Sequence, residues 1–199
     1  MIKAVLFDVD GVLVNAKRFS QILQEDYNLT TETTLSFFSQ KFMHCLVGKA
    51  DLKEEITPYL KEWKIDKTPE EFLEYWFTSE HKIDEELIRY IKTLKRNNIK
   101  VYVVTNQEKY RTNYIVNKMG FGSIFDDIFS SADLEVTKSE QIFFQKVLQK
   151  LENIKADEIL LWDDEVKHIE IAKKSGLLAE VYTDFENFKK KMASYITFV

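Results

Sequence analysis

The sequence predicts an α/β protein in three layers: a parallel sheet covered by helices on both faces, with a block of helices inserted after the first strand. Three observations predict it. Short apolar runs ending in polar residues alternate with helical patterns, as expected for strands buried on both faces. The rhythm breaks between residues 15 and 80, where aromatic and leucine residues recur at helical spacing and no buried strand stands out. The chain has 199 residues, 45% of them hydrophobic and 14% aromatic, enough to bury a main core plus a small subdomain.

The first strand is Ala4-Val5-Leu6-Phe7, stopped by Asp8. The clearest later strands are Val101-Tyr102-Val103-Val104 and Ile159-Leu160-Leu161-Trp162, with weaker candidates at Ile128-Phe129-Ser130 and Glu180-Val181-Tyr182. Helical patterns cover residues 84–97, with Leu87, Ile88, Ile91 and Leu94 on one face, and then residues 107–119, 139–151 and 166–174. Gly120 and Gly176 fall where helices end in a left-handed residue. Within the insert, Phe19, Ile22 and Leu23, then Phe37, Phe38 and Phe42, then Tyr59, Leu60 and Trp63, then Phe72, Leu73, Trp76 and Phe77 keep helical spacing. Most of these rings are expected to pack a small core of the insert's own. Asp51 and Thr68 read as helix N-caps, and Pro69 suits the first helical position. The expected division is a sheet-based core of residues 1–14 and 81–199 around a helical segment of residues 15–80.

Composition narrows the partners. A net charge of -5 and a pI near 5.4 argue against nucleic acid, which is held chiefly by a surplus of Lys and Arg. The apolar run at the amino terminus is cut short by Asp8 and Asp10, too soon for a secretion signal, and no later stretch approaches the ~18 apolar residues of a membrane span. The single cysteine, Cys45, can form no internal disulfide, and no Cys/His cluster has zinc-site spacing. A cytoplasmic protein without membrane or nucleic-acid partners is expected, as a monomer or homodimer.

Ligands of open α/β sheets bind outside the carboxyl ends of the strands. Here those ends read Asp8-Val9-Asp10-Gly11, Thr105-Asn106 and Asp163-Asp164, and Lys138 opens a helix after a weaker strand. Each close carboxylate pair costs about 4 kcal/mol at ~4 Å and an effective dielectric constant of about 20, so something positive must sit among them. A hard divalent cation with oxygen ligands fits, Mg²⁺ first, because it takes one or two carboxylates plus phosphate oxygens and water. Lys138 adds a second positive charge, and the set describes a site for a phosphate group. In an extended segment Asp8 and Asp10 point the same way. An ionised carboxylate is already a nucleophile, and a second carboxyl group nearby can protonate a leaving alkoxide and later deprotonate water.

These residues carry a family resemblance. Phe7-Asp8-Val9-Asp10-Gly11-Val12-Leu13 resembles the first motif of the haloacid dehalogenase-like hydrolases, Val103-Val104-Thr105-Asn106 the second, Lys138 the third and Leu161-Trp162-Asp163-Asp164 the fourth. The four occur in order and span essentially the whole chain, and the helical insert matches the subgroup with a small helical cap. The resemblance implies a Rossmann-like core and a Mg²⁺-dependent phosphatase acting on a small phosphorylated molecule. It implies Asp8 as nucleophile, and Asp10 as general acid/base that also offers its backbone carbonyl to the metal. Thr105 and the Asn106 backbone would bind the phosphoryl group, and Lys138 would neutralise it and orient Asp8. Asp164 would contact the metal directly, with Asp163 a ligand directly or through water. True dehalogenases of the family lack the second aspartate of the first motif, so Asp10 favours phosphate esters. Two departures stand out: Ser139 follows Lys138 where a proline is frequent, and Trp162 is bulkier than the usual residue before the acidic pair.

Other polar residues read more simply. Thr105 alone would pass for a helix cap, and Asp126 and Asp127 for loop residues. Lys49 reads as a solvated lysine rather than one reaching the substrate, His44 as a core or helix-surface residue rather than one facing the cleft, and Cys45 as a buried small hydrophobe. Asn15, Lys17 and Arg18 follow the first motif closely enough to be candidates for contacting a leaving group. The Val47-Gly48-Lys49 segment looks like that of small-sugar-phosphate phosphatases. A phosphomutase would need an arginine-rich grip for a second phosphate, which this insert lacks. A phosphoacceptor signalling module would carry its acceptor aspartate on a later strand and its acidic pair after the first, the reverse of the order here. A silent phosphate-binding protein would not need every reacting group.

Overall fold

The structure, a computed structural model, describes residues 1–196; residues 197–199, the end of the expected core segment, lie outside the described residues. Five parallel strands, β1 (Ala4–Phe7), β2 (Lys100–Thr105), β3 (Asp127–Ser130), β4 (Ile159–Asp163) and β5 (Leu178–Val181), form one sheet in the order β3-β2-β1-β4-β5. β1 is central, and the register pairs Phe7 with Val103 on one side and with Trp162 on the other. Side-chain alternation divides the core in two. Val5 and Phe7 face a layer with Val101, Val103, Leu160 and Trp162, while Ala4 and Leu6 face one with Tyr102, Val104, Ile159 and Leu161.

Helices α1 (Phe19–Tyr27), α2 (Thr31–Ser36), α3 (Phe42–Leu46), α4 (Leu52–Glu62) and α5 (Pro69–Ser79) follow β1 and precede α6 (Glu85–Arg96). Next come α7 (Lys109–Asn117), α8 (Phe121–Ile124), α9 (Ser131–Leu134), α10 (Gln141–Lys150), α11 (Val166–Lys174) and α12 (Phe185–Tyr195). α6 buries Leu87, Ile88, Ile91 and Leu94, and with Phe188 and Met192 of α12 it covers the Phe7 face. Phe143, Phe144 and Val147 of α10 and Ile169 and Ala172 of α11 cover the opposite face. Bulky Trp162 is accommodated beneath α12, where its indole N–H meets Met192 Sδ at 3.2 Å and its ring packs on Phe188.

Several boundaries differ from the pattern, two of them for a visible local reason. α7 starts at Lys109 because the Glu108 side chain accepts from the amides of Tyr110 and Arg111 and so caps it; Thr105 is not a cap. α10 starts at Gln141 because residues 137–140 turn, with Glu140 N–H bonded to Thr137 O. β5 begins at Leu178, two residues early. Asp127 opens β3 rather than lying in a loop, whereas Asp126 stays in the loop before it, where its side chain accepts from the Val101 amide.

Residues 37–41 form a π-helical turn joining α2 to α3. Asp51 caps α4 as expected. Thr68, with Pro69 after it, forms a reciprocal capping box with Glu71 on α5. The rings of Phe19, Phe37, Trp63 and Phe72 pack together between these helices. The chain enters and leaves α1–α5 at one place: Asn15 N–H bonds Lys82 O and Asp84 N–H bonds Leu13 O, both at 2.9 Å, around a bridge between Val14 and Ile83.

Candidate active site

Parallel strands bring their carboxyl ends to one edge, and the register fixes which residues meet there. Asp8 N–H donates to Trp162 O at 3.0 Å, so Asp8 stands beside Asp163. Lys138, wholly buried, spans the two: its Nζ lies 2.7 Å from Asp8 Oδ1 and 2.7 Å from Asp163 Oδ2. The loop carrying it is set from β2, because Asn106 Oδ1 accepts the Lys138 amide at 2.8 Å. Thr105 is buried at the end of β2 and, with Asn106, lines the same cavity. Asp163 Oδ1 is further held by the Glu165 amide at 2.9 Å and by His168 Nδ1 at 3.1 Å.

Asp164 is different. Its carboxylate is bonded to no other side chain among the described residues, and it lies against Gly11, where a Cβ would come 2.4 Å from Asp164 Oδ2. Gly11 also has φ +80°, so only glycine serves both the turn and the close approach. Gly11 N–H bonds Val14 O and Val14 N–H bonds Val9 O, which curls the chain back after β1. Asp10 sits on this curl with its side chain about half exposed, and the Gln107 amide donates to its Oδ2 at 2.5 Å.

The electrostatics show a deficit of positive charge. Burial, then Asp163 and Asp10, pushes the Asp8 carboxyl up to about 8 against the pull of Lys138. Burial would also raise Asp163, but Lys138 and His168 outweigh it and hold that carboxyl at about 2. Burial and Asp163 raise Asp164. One ammonium is shared by two buried carboxylates while a third faces them, and ligand oxygens of Asp8, Asp163 and Asp164 all lie within 4.8 Å of one another. An oxygen-only set of this kind fits a hard divalent cation such as Mg²⁺.

All seven residues singled out in the sequence (Asp8, Asp10, Thr105, Asn106, Lys138, Asp163 and Asp164) meet at this edge, and six of them line a cavity of about 610 Å³ beneath α1–α5; Asp163 lies below its floor, fully buried. Of the flanking candidates, Lys17 and Arg18 line the cavity, whereas Asn15 bonds Asp84. His44 and Lys49 are exposed and outside it. Cys45 is buried, and burial and Glu108 push its thiol up to about 12, which leaves it inert.

Four contributors were not singled out. His168 braces Asp163 from the first turn of α11, and Gln107 holds Asp10. Arg111, buried between the rings of Phe77 and Tyr114, donates to Phe77 O at 3.0 Å and places Nη2 3.6 Å from Glu80 and 4.0 Å from Asp10. Its Nε and Nη2 make no hydrogen bond among the described residues. Glu80, just past α5, accepts from Phe19 N–H and from the Trp76 indole; burial and Asp10 push its carboxyl up to about 7. The Asp163-x4-His168 spacing was the one available sequence signal for this group.

A family model for haloacid dehalogenase-like hydrolases matches residues 2–176, and the chain belongs to that family. No curated protein matches the sequence. Among solved structures, a HAD family enzyme of Bacteroides thetaiotaomicron superposes with a TM-score of 0.82 at 17% identity, covering 96% of this chain and 98% of that one. A predicted HAD-like hydrolase of Porphyromonas gingivalis gives 0.80 at 19% identity over 98% of both chains. A 2-haloacid dehalogenase of Pseudomonas syringae gives 0.70 at 16% identity, covering 98% and 100%. The Bacteroides enzyme is also known in complex with magnesium and inorganic phosphate, and in that form the TM-score is 0.75 at 17% identity, over 94% and 99%. At these identities the likeness is one of fold. Among the described residues no helix is long and apolar enough to cross a membrane.

Proposed function

We propose that this hydrolase is a cytoplasmic, Mg²⁺-dependent phosphatase of small phosphomonoesters, working as a monomer or homodimer. The observation that carries the reading is the pairing of Asp8 with Asp10 beside an acidic cluster that holds too little positive charge. The magnesium and phosphate bound by the Bacteroides enzyme support it.

Asp8 attacks phosphorus in line, its carboxylate oxygen forming the new bond while the ester oxygen leaves. Asp10 gives its proton to that oxygen, so the alcohol departs neutral and Asp8 carries the phosphoryl group. Asp10, now a carboxylate, removes a proton from water, and the resulting hydroxide attacks phosphorus and breaks its bond to Asp8, which releases inorganic phosphate and regenerates the Asp8 carboxylate. The Gln107 amide holds Asp10 in position for both transfers. Thr105 and the Asn106 backbone bind the transferring oxygens, and Lys138 balances their charge while keeping Asp8 oriented. Asp8, Asp164 and the Asp10 carbonyl would hold Mg²⁺, with Asp163 a ligand directly or through water. When bound, Mg²⁺ supplies positive charge that keeps Asp8 ionised and stabilises the phosphoryl oxygens. Residues 15–80 act as a cap that shields the intermediate from bulk water.

The test is phosphate release with Mg²⁺ and with EDTA, in wild type and Asp8→Asn. Release is expected only with metal, and Asp8→Asn should lower it by on the order of 10⁴-fold or more with little loss of stability. Wild-type release by folded Asp8→Asn would sink the mechanism. Halide release from 2-haloacids that persists in EDTA would favour a dehalogenase instead.

A further inference from the structure

We infer that the alcohol part of the substrate is a planar aromatic group rather than a polyol, an inference that rests on the phosphatase reading above. The floor of the cavity is polar, but the wall that α2, α3 and α5 present to it is mainly apolar. Phe38, Phe42 and Trp76 form a triangle of rings, with centroids 5.8 Å apart for Phe38 and Phe42, 5.7 Å for Phe38 and Trp76, and 5.3 Å for Phe42 and Trp76. Leu35 extends this wall and is 54% exposed, a large apolar side chain that packing on its own helices does not cover.

The wall is held rigidly. Trp76 stacks on Phe19 at 4.5 Å and 7° between planes, and its indole N–H is spent on Glu80, so the cavity meets apolar ring surface. The π-helical turn over Phe37–Lys41 lies where α2 gives way to α3, which is where Phe38 reaches the cavity; such wide turns cluster at functional sites.

Counting polar groups on this side separates the two classes of alcohol. The Thr34 hydroxyl turns back to the carbonyls of Thr30 and Thr31. Lys17 is held by both oxygens of Glu25, and both oxygens of Glu80 are occupied. The hydroxyls of Ser20 and Thr31 and the guanidinium of Arg18 are left, with no partner among the described residues. A sugar phosphate would lose water from four or five hydroxyls and recover few hydrogen bonds, whereas an aromatic ring meets three rings at stacking or edge distance. Arg18, at the exposed rim, suits a carboxylate or other acceptor at the far end of such a ring. Gly48 and Lys49, which suggested sugar phosphates, lie away from this wall: a Cβ on Gly48 would meet Ala132 O of the core at 2.9 Å.

Benzyl phosphate and glucose 6-phosphate are both esters of primary alcohols, so comparing them separates recognition from leaving-group chemistry. Acetyl phosphate, too small to touch the wall, reports the reaction itself. With Mg²⁺, kcat/KM for benzyl phosphate is expected to exceed that for glucose 6-phosphate by about tenfold or more, and Phe38→Ala or Phe42→Ala should shrink the ratio. Benzylphosphonate should change tryptophan emission at lower concentration than methylphosphonate. A 4-carboxybenzyl ester should outperform the benzyl ester, an advantage that Arg18→Ala removes. Equal or reversed preference, with acetyl phosphate still hydrolysed, overturns the aromatic substrate and leaves the phosphatase standing. If acetyl phosphate is also untouched by folded protein with Mg²⁺, the phosphatase reading falls and this inference falls with it.

Discussion

Lys138 holds two buried carboxylates together with one ammonium, and both carboxylates keep it charged against its own burial. Lys138→Met would leave Asp8 and Asp163 facing each other unneutralised, which should cost about 3–5 kcal/mol in urea unfolding. Added Mg²⁺ should recover part of that loss, and a variant as stable as wild type would contradict the arrangement. Two other carboxyls add to the pH dependence that Asp8, pushed up to about 8, brings in the same sense. Burial pushes Glu80 and Glu108 up to about 7 from an ordinary value of 4.5. Between those values the unfolded chain releases protons that the folded chain keeps, so raising the pH favours unfolding. The penalty is absent below about 4.5 and complete above about 7, roughly 3 kcal/mol at most for each group. Asp163, held at about 2, acts in the opposite sense, but its stabilisation is lost only as pH falls below about 4. Urea titrations from pH 5 to 8 should show falling stability, with a shallower slope in Glu108→Gln; a curve that rises with pH would refute this.

At the scale of elements, α5 links the packed rings of the inserted helices to the cavity, because its amino terminus is fixed by the Thr68–Glu71 box and its later turns carry Trp76. Thr68→Ala should cost about 1 kcal/mol in thermal or urea unfolding. An unchanged midpoint would mean that the helix is held by packing alone. Caps and strand ends were legible in the sequence because they depend on neighbours a few residues apart. The strand-end carboxylates were legible for a related reason: parallel register alone puts Asp8 beside Asp163. The part played by Arg111 was not, since nothing in its spacing says that α7 turns it under Phe77 toward Glu80 and Asp10. The π-helical turn was equally hidden, because residues 31–46 keep helical spacing on either side of it. The late starts of α7 and α10 reflect side-chain and turn hydrogen bonds that compete with simple periodicity.

In the whole molecule, one sheet edge and one helical block enclose a single chemical site, and the division of labour follows the chain. The sheet edge supplies Asp8, Thr105, Asn106, Lys138 and Asp164 to the floor of the cavity, and the inserted helices supply the wall above them. Where the two meet, the outgoing and returning segments are hydrogen-bonded side by side at Leu13, Asn15, Lys82 and Asp84. The ends of the insert are therefore already joined as closely as the ends of a hairpin. Removing residues 16–81 and bridging the gap with a short turn would change loop-closure entropy by only about 2–3 kcal/mol. The shortened chain should still fold cooperatively by circular dichroism and calorimetry, whereas failure to fold would show that the core leans on the helices it carries. A junction of this kind is a grafting point: helical blocks of other lengths and linings can be exchanged there without altering the register of any strand, so specificity can be rebuilt while the chemistry beneath stays in place.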